Sequence, residues 1–240
     1  VKDYELNDKK ILQSWHENAK EWVNVIDRAA IPSRELITNQ AIIDAILAHS
    51  PTNVLDVGCG EGWLARVLAA KGIGVWGIDA VPELITEARS RGEGRQQFMT
   101  VSYEDLDTET LPQKFDLVVC NFSLIGETAT KTFIQKAGTL LNPGGHLLVQ
   151  TLHPLVSCGD QSYIDSWRPG SWVGIEGNFK EAAPWYFRTT SSWIELFLQN
   201  GLALVSLKEP LNPATGKPAS LILCGELTQH FTVPQTGQRQ

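Results

Sequence analysis

One stretch limits the possible architectures more than any other: Asn53 to Trp63, which reads NVLDVGCGEGW. Val54, Leu55 and Val57 make a short apolar run, the pattern of a strand buried on both faces of a parallel sheet. Gly58, Gly60 and Gly62 follow at alternate positions, after which Leu64 to Ala70 take helical spacing. A strand that turns through glycines into a helix aims backbone N–H groups, and the positive end of the helix dipole, at whatever lies beside the turn. Glycine admits positive φ and lets a ligand approach the backbone closely. The stretch reads as a cofactor turn in an α/β fold.

The chemistry of the turn narrows the cofactor. A phosphate-binding P-loop requires a Gly-Lys-Ser/Thr ending, which is missing, and the dinucleotide fingerprint requires glycine where Trp63 stands. What stands here is Asp-x-Gly-x-Gly-x-Gly, with Asp56 just ahead of the turn. A carboxylate there repels a pyrophosphate but can hold an ammonium group, directly or through water. Asp79 closes the next strand, VWGID, about 20 residues on, where an acid can accept both ribose hydroxyls. Asp79 can equally serve the N-cap region of the following helix. An ammonium, a ribose and no phosphate describe S-adenosylmethionine, with S-adenosylhomocysteine as product.

Together, VLDVGCGEG, the acid in VWGIDA, FDLVVCNFSLI and LLNPGGHLLVQTLHP resemble a class I S-adenosylmethionine-dependent methyltransferase of the small-molecule kind, over roughly residues 31–227. The resemblance implies a Rossmann-like, seven-stranded, mainly parallel sheet with helices on both faces. Its strand order would be 3-2-1-4-5-7-6, with the last strand antiparallel. It also implies a helical N-terminal lid over residues 1–30, a methyltransferase domain over 31–227 and a polar tail over 228–240. Length and composition agree: 240 residues suit one decorated α/β domain. A net charge of -7 lacks the usual footprint of nucleic-acid binding. Cys59, Cys120, Cys158 and Cys224 are far apart without metal-ligand spacing, so reduced buried thiols and no metal are expected. No signal peptide or long apolar run is visible, which suggests a cytoplasmic protein, a monomer or homodimer with no membrane partner. A start at Val1 rather than Met suggests a trimmed chain.

The remaining candidates follow the chain. Leu12, Trp15, Ala19, Trp22, Val23 and Ile26 have helical spacing, so Trp15 and Trp22 either pack on the domain or line a lid beside the substrate. Pro32 and Ser33 open a helix, and Arg34 at that join can pair with the methionine carboxylate or form a surface ion pair. Gly58, Cys59 and Gly60 form the cofactor turn, and Ala80 and Val81 present backbone and apolar surface to adenine. Relatives often carry Asp where Ser102 stands, so Ser102, Tyr103 and Glu104 are the candidates near adenine, with the Tyr103 N–H meeting the ring. Asn121 and Phe122 arrive at the carboxyl end of the fourth strand, where ligands of open α/β sheets bind. His153 ends the fifth strand, as a general base or as an anchor of the turn. Residues 153–187 match neither helix nor strand, and their Trp167, Trp172 and Tyr186 make a substrate-pocket wall or a cover for the sheet edge.

The expected activity is methyl transfer to an O, N or C nucleophile of a small molecule. Transfer to tRNA or protein, a Rossmann oxidoreductase and a non-catalytic cofactor-binding module are the alternatives.

Overall fold

The computed structural model describes residues 6–228; the expected polar tail lies, beyond Thr228, outside them. Seven strands form one sheet: β1 (Asn53–Val57), β2 (Gly74–Asp79), β3 (Gln96–Thr100), β4 (Phe115–Asn121), β5 (Leu141–Thr151), β8 (Leu202–Lys208) and β9 (Leu221–Leu227). Their order is β3-β2-β1-β4-β5-β9-β8. With the small hairpin β6 (Ser166–Arg168) and β7 (Trp185–Phe187) set aside, this is the expected 3-2-1-4-5-7-6 order. The pairs β1–β2, β1–β4, β2–β3 and β4–β5 are parallel, and β9 runs antiparallel to both of its neighbours.

Alternate residues of the central strands feed two cores. Leu55, Val57, Val118 and Cys120 face Phe133, Ile134 and Ala137 of α5 (Thr128–Leu140) and Trp193 and Phe197 of α7 (Thr190–Gln199). Val54, Leu117 and Val119 face Ile42 and Ile46 of α2 (Asn39–Leu47), Leu64 and Leu68 of α3 (Trp63–Ala70), and Ile85 and Ala88 of α4 (Pro82–Arg91). A sheet apolar on both faces must be covered on both, which fixes the three-layer architecture. All four cysteines are buried free thiols. No helix among the described residues is long and apolar enough to cross a membrane.

The N-terminal segment is one helix, α1 (Asp8–Asp27), as its helical spacing led one to expect, capped by Asn7, whose side chain accepts the Lys10 N–H. Three details depart from the sequence reading. Pro32 and Ser33 lead not into a regular helix but into a π-turn, Arg34–Thr38, ahead of α2. Asn142 to Gly145 belong to β5 as a bulge: Phe115 pairs with Leu141 and Leu117 with His146, Gly144 taking φ +74°. Residues 153–187 contain the short helix α6 (Pro154–Ser157) and the β6–β7 hairpin. Three-residue strands are too short to show alternation.

Helix α1, about 30 Å long for its 20 residues, runs along the carboxyl edge of the sheet. At its start Asp8 Oδ2 accepts the Thr128 N–H of α5 at 3.0 Å; at its end Asp27 takes both terminal nitrogens of Arg91 in α4, at 2.5 and 2.9 Å. Between them its buried polar face holds residues 176–181. Ser14 donates to the Glu181 carbonyl, Asn18 accepts the Lys180 N–H, and Glu21 accepts the Asn178 N–H.

Candidate functional site

The turn after β1 is built as the glycines require. Gly58, Gly60 and Gly62 have φ of +73°, +58° and +82°, a region that penalises a Cβ. The direction of its N–H groups, however, corrects the expectation that they point at a ligand. Gly58 and Cys59 both donate to the Ile78 carbonyl, Gly62 to the Cys59 carbonyl, and Gly60 to Asp79 Oδ2 at 2.9 Å. The Trp63 N–H at the start of α3 goes to Glu61 Oε1. Glu61, 1 % exposed and ion-paired with Arg66, therefore answers the α3 dipole with the chain's own carboxylate. The sequence reading left this residue without a role, although an acid in the turn preceding a helix was the signal for it. The Cys59 side chain is buried in the core, as expected of a reduced thiol, and burial pushes the thiol up, so its backbone is what it lends the turn.

What the turn does present is acid. Asp56 is 2 % exposed, its Oδ2 has no hydrogen-bond partner among the described residues, and burial, then Asp79 and Glu61, push its carboxyl up to about 8. Asp79 accepts the Gly60 N–H on one oxygen and the Val81 N–H on the other, both at 2.9 Å. Burial raises its pKa, and these N–H groups pull the other way. Each carboxylate oxygen has a second lone pair, so Asp79 keeps acceptor capacity for two hydroxyls. Ala80 is half-buried, whereas the Val81 side chain packs with Ala19 and Leu84 beneath α1. The expectation that Val81 offers a free apolar surface is thus corrected; α1 covers it.

Arg34 stands in the π-turn with its guanidinium between two indoles, 5.5 Å from the Trp22 ring and 5.3 Å from the Trp63 ring. Burial weighs against its charge, and Glu61 and Glu35 support it. A Cβ on Gly60 would lie 3.9 Å from Trp22 Nε1, which places α1 directly above the glycine turn. After β3, Ser102 is engaged in its own turn: its Oγ bonds Asp105 Oδ2 at 2.7 Å and accepts the Asp105 N–H. Glu104 is exposed, and its carbonyl, like that of Tyr103, accepts Lys136 Nζ. The Tyr103 hydroxyl donates to the Ser123 carbonyl, tying the β3 and β4 ends together beneath Gly58.

The ends of β4 and β5 make the other half of the edge. Asn121 Oδ1 accepts Gln150 Nε2 at 2.6 Å; Gln150, 1 % exposed, also donates to the Thr38 carbonyl of the π-turn and accepts from Ser220. Gln150 was not anticipated, because a glutamine inside a strand carries no motif. Phe122 has φ +56°, which a bulky residue adopts only under constraint, and its N–H is held by the Gln150 carbonyl. His153, 5 % exposed, lies with Nε2 2.7 Å from Glu209 Oε1, while Nδ1 is buried without a partner.

The aromatic candidates fall into two groups. Trp15 stands edge-on to Trp22 at 5.1 Å and to Trp172 at 6.0 Å, and Trp172 stacks on Phe179 at 4.1 Å. Trp167 and Tyr186 pair edge-on across the β6–β7 hairpin; the Trp167 indole N–H goes to Glu127 and the Tyr186 N–H to the Ile125 carbonyl. Buried Arg188 fastens this hairpin to the Gly126 and Glu127 carbonyls. A groove of about 440 Å³ opens at the opposite, amino end of the strands, but Lys114 is the one charged residue in its lining, and none of these acids reaches it.

The described residues thus form a three-layer α/β fold with an acid-framed glycine turn at the carboxyl edge of its sheet. A family model described as a methyltransferase domain matches residues 14–207, and the chain belongs to that family, as a class I S-adenosylmethionine-dependent methyltransferase. It is 30 % identical over 151 residues to a ubiquinone biosynthesis O-methyltransferase of Coxiella burnetii (strain Dugway 5J108-111), covering 61 % of this chain and 63 % of the relative. A protein of the same name from Xylella fastidiosa (strain M23) is 40 % identical over 107 residues, 43 % of each chain. The chain thus spans less than two thirds of the curated relatives it matches. Among solved structures, the Burkholderia thailandensis 1,6-didemethyltoxoflavin-N1-methyltransferase with bound 1,6-didemethyltoxoflavin and S-adenosylhomocysteine has a TM-score of 0.60 at 21 % identity, covering 92 % of this chain and 86 % of that one. Magnesium protoporphyrin IX methyltransferase from Synechocystis PCC 6803 with bound S-adenosylmethionine has a TM-score of 0.60 at 16 % identity, covering 94 % and 100 %. At these identities the likeness is one of fold.

Proposed function

We propose that this chain binds S-adenosylmethionine and methylates a small molecule at an O, N or C nucleophile. The observation that carries this reading is the unpaired, buried Asp56 oxygen beside Asp79 at the glycine turn. Asp56 does not suit a pyrophosphate; an ammonium answers Asp56 and a ribose answers Asp79, so the residues present fit the group. Arg34 would take the carboxylate, with Trp22 and Trp63 holding its guanidinium in place. When bound, S-adenosylmethionine supplies a methyl group on a positively charged sulfur and leaves as S-adenosylhomocysteine. The chain's share is alignment, where effective molarities reach about 10⁵ M or more, and the exclusion of water.

In this reading α1 is a lid, and the aromatic groups around Trp15, Trp172, Trp167 and Tyr186 form the acceptor wall. The relatives named O-methyltransferases favour an oxygen acceptor, and His153, buried at the end of β5, is the base. The acidic charge favours a small acceptor over nucleic acid, and four free thiols accord with a cytoplasmic setting. Calorimetry with S-adenosylmethionine and NAD, followed by a labelled-methyl screen of cell metabolites, tests the proposal. Binding of NAD alone would overturn it, and tight S-adenosylmethionine binding without any labelled product would favour a cofactor-binding module.

A further inference from the structure

We infer that Glu209 is a positioning residue for His153, fixing its ring so that Nδ1 takes the proton of a hydroxyl acceptor, a phenol or an enol. This rests on the reading of His153 as the base. Glu209 directly follows β8, which runs in the direction of β5, so it reaches the same edge of the sheet as His153. Its Oε1 is 2.7 Å from Nε2. An ionised carboxylate only accepts, so the shared proton sits on Nε2, and a neutral imidazole then leaves Nδ1 bare. That nitrogen is buried and without a partner among the described residues.

The two partners differ in a way that suits the role. The imidazole side chain is 4 % exposed and the carboxylate 52 %, so one is enclosed and the other stands at the rim. An unpaired buried acceptor is unusual in a folded chain, and a substrate hydroxyl is the partner that would complete it. In the reaction the hydroxyl proton passes to Nδ1. The oxygen–methyl bond forms as the methyl–sulfur bond breaks with its electron pair left on sulfur, and the imidazolium then returns its proton to water. An acceptor without an acidic proton would leave Glu209 nothing to arrange.

The test is histidine-selective ¹⁵N labelling of the full chain saturated with S-adenosylhomocysteine, the His153 signals being assigned by their loss in His153→Ala. The expected result is Nε2–H with bare Nδ1, and a shift toward Nδ1–H in Glu209→Ala at unchanged Tm and unchanged S-adenosylhomocysteine affinity. A protonated Nδ1 in the native chain, or the same tautomer in Glu209→Ala, would overturn the inference. Turnover separates it from the reading beneath it. With the hydroxyl acceptor that the screen yields, Glu209→Ala should lower kcat about tenfold or more with KM for S-adenosylmethionine unchanged, as a misdirected tautomer does. Full turnover in His153→Ala removes the base itself; slow His153→Ala beside a normal Glu209→Ala removes only the positioning role.

Discussion

The two halves of the sheet's carboxyl edge solve different problems. At β1 and β2 the backbone is almost self-sufficient: the glycine turn spends its N–H groups on Ile78, Cys59, Asp79 and Glu61, and what it leaves outward is carboxylate. At β4 and β5 the carboxylates give way to amides, a strained Phe122 and an imidazole, tied by Gln150 to the π-turn. Asp56 on one side and His153 on the other each keep a buried polar atom without a partner among the described residues. In the proposed reading, the first half suits a ligand of fixed charge and the second one that gives up a proton.

That contrast can be broken at several points. Asp79→Ala removes the ribose acceptor and the anchor of two N–H groups, so S-adenosylmethionine affinity should fall about 10²-fold. Unchanged affinity by calorimetry would take Asp79 out of the site. On the other half, His153→Ala should slow turnover by about 10²-fold while cofactor binding holds, measured by single-turnover transfer of labelled methyl. Loss of binding instead would erase the division between the halves. Trp22→Ala uncovers the turn and one face of Arg34, worth about 1–2 kcal/mol, so KM for the cofactor should rise roughly tenfold.

Asp56→Asn gives the smallest effect and a sign that can be checked. The folded chain holds the Asp56 proton up to about 8 against an ordinary value of 3.8. The unfolded chain loses that proton first, so this group's stabilising contribution is present in acid and lost as pH rises through the window. Asp56→Asn should therefore raise Tm by a few degrees at about pH 8 and leave it unchanged at about pH 4. It should also weaken cofactor binding and abolish the proton that native Asp56 would release to the buffer as an ammonium arrives. Calorimetry in buffers of different ionisation enthalpy reads that release.

The central strands and the glycine turn were legible because buried parallel strands write apolar runs and the turn writes its φ requirements into the sequence, whereas the strand order came from the family resemblance. Elements ended within a few residues of where the periodicity placed them, as with β8 at Leu202–Lys208. The fate of the turn's N–H groups was not legible, since it depends on the Ile78 carbonyl and on Glu61 reaching back to Trp63. Nor was the joining of α1 to residues 176–181, where Asn18 and Lys180 are 162 positions apart. The Glu209–His153 contact, spanning 56 positions, left no local pattern either.

The guanidinium held between Trp22 and Trp63 has a practical use as well. One indole rides on α1 and the other is fixed at the start of α3, so any departure of α1 separates them from their shared cation. In the proposed lid reading, tryptophan emission would therefore report any movement of α1. A stopped-flow fluorimeter can test for that movement without an added dye, the difference between the native chain and Trp22→Phe giving the share of Trp22 among the eight tryptophans.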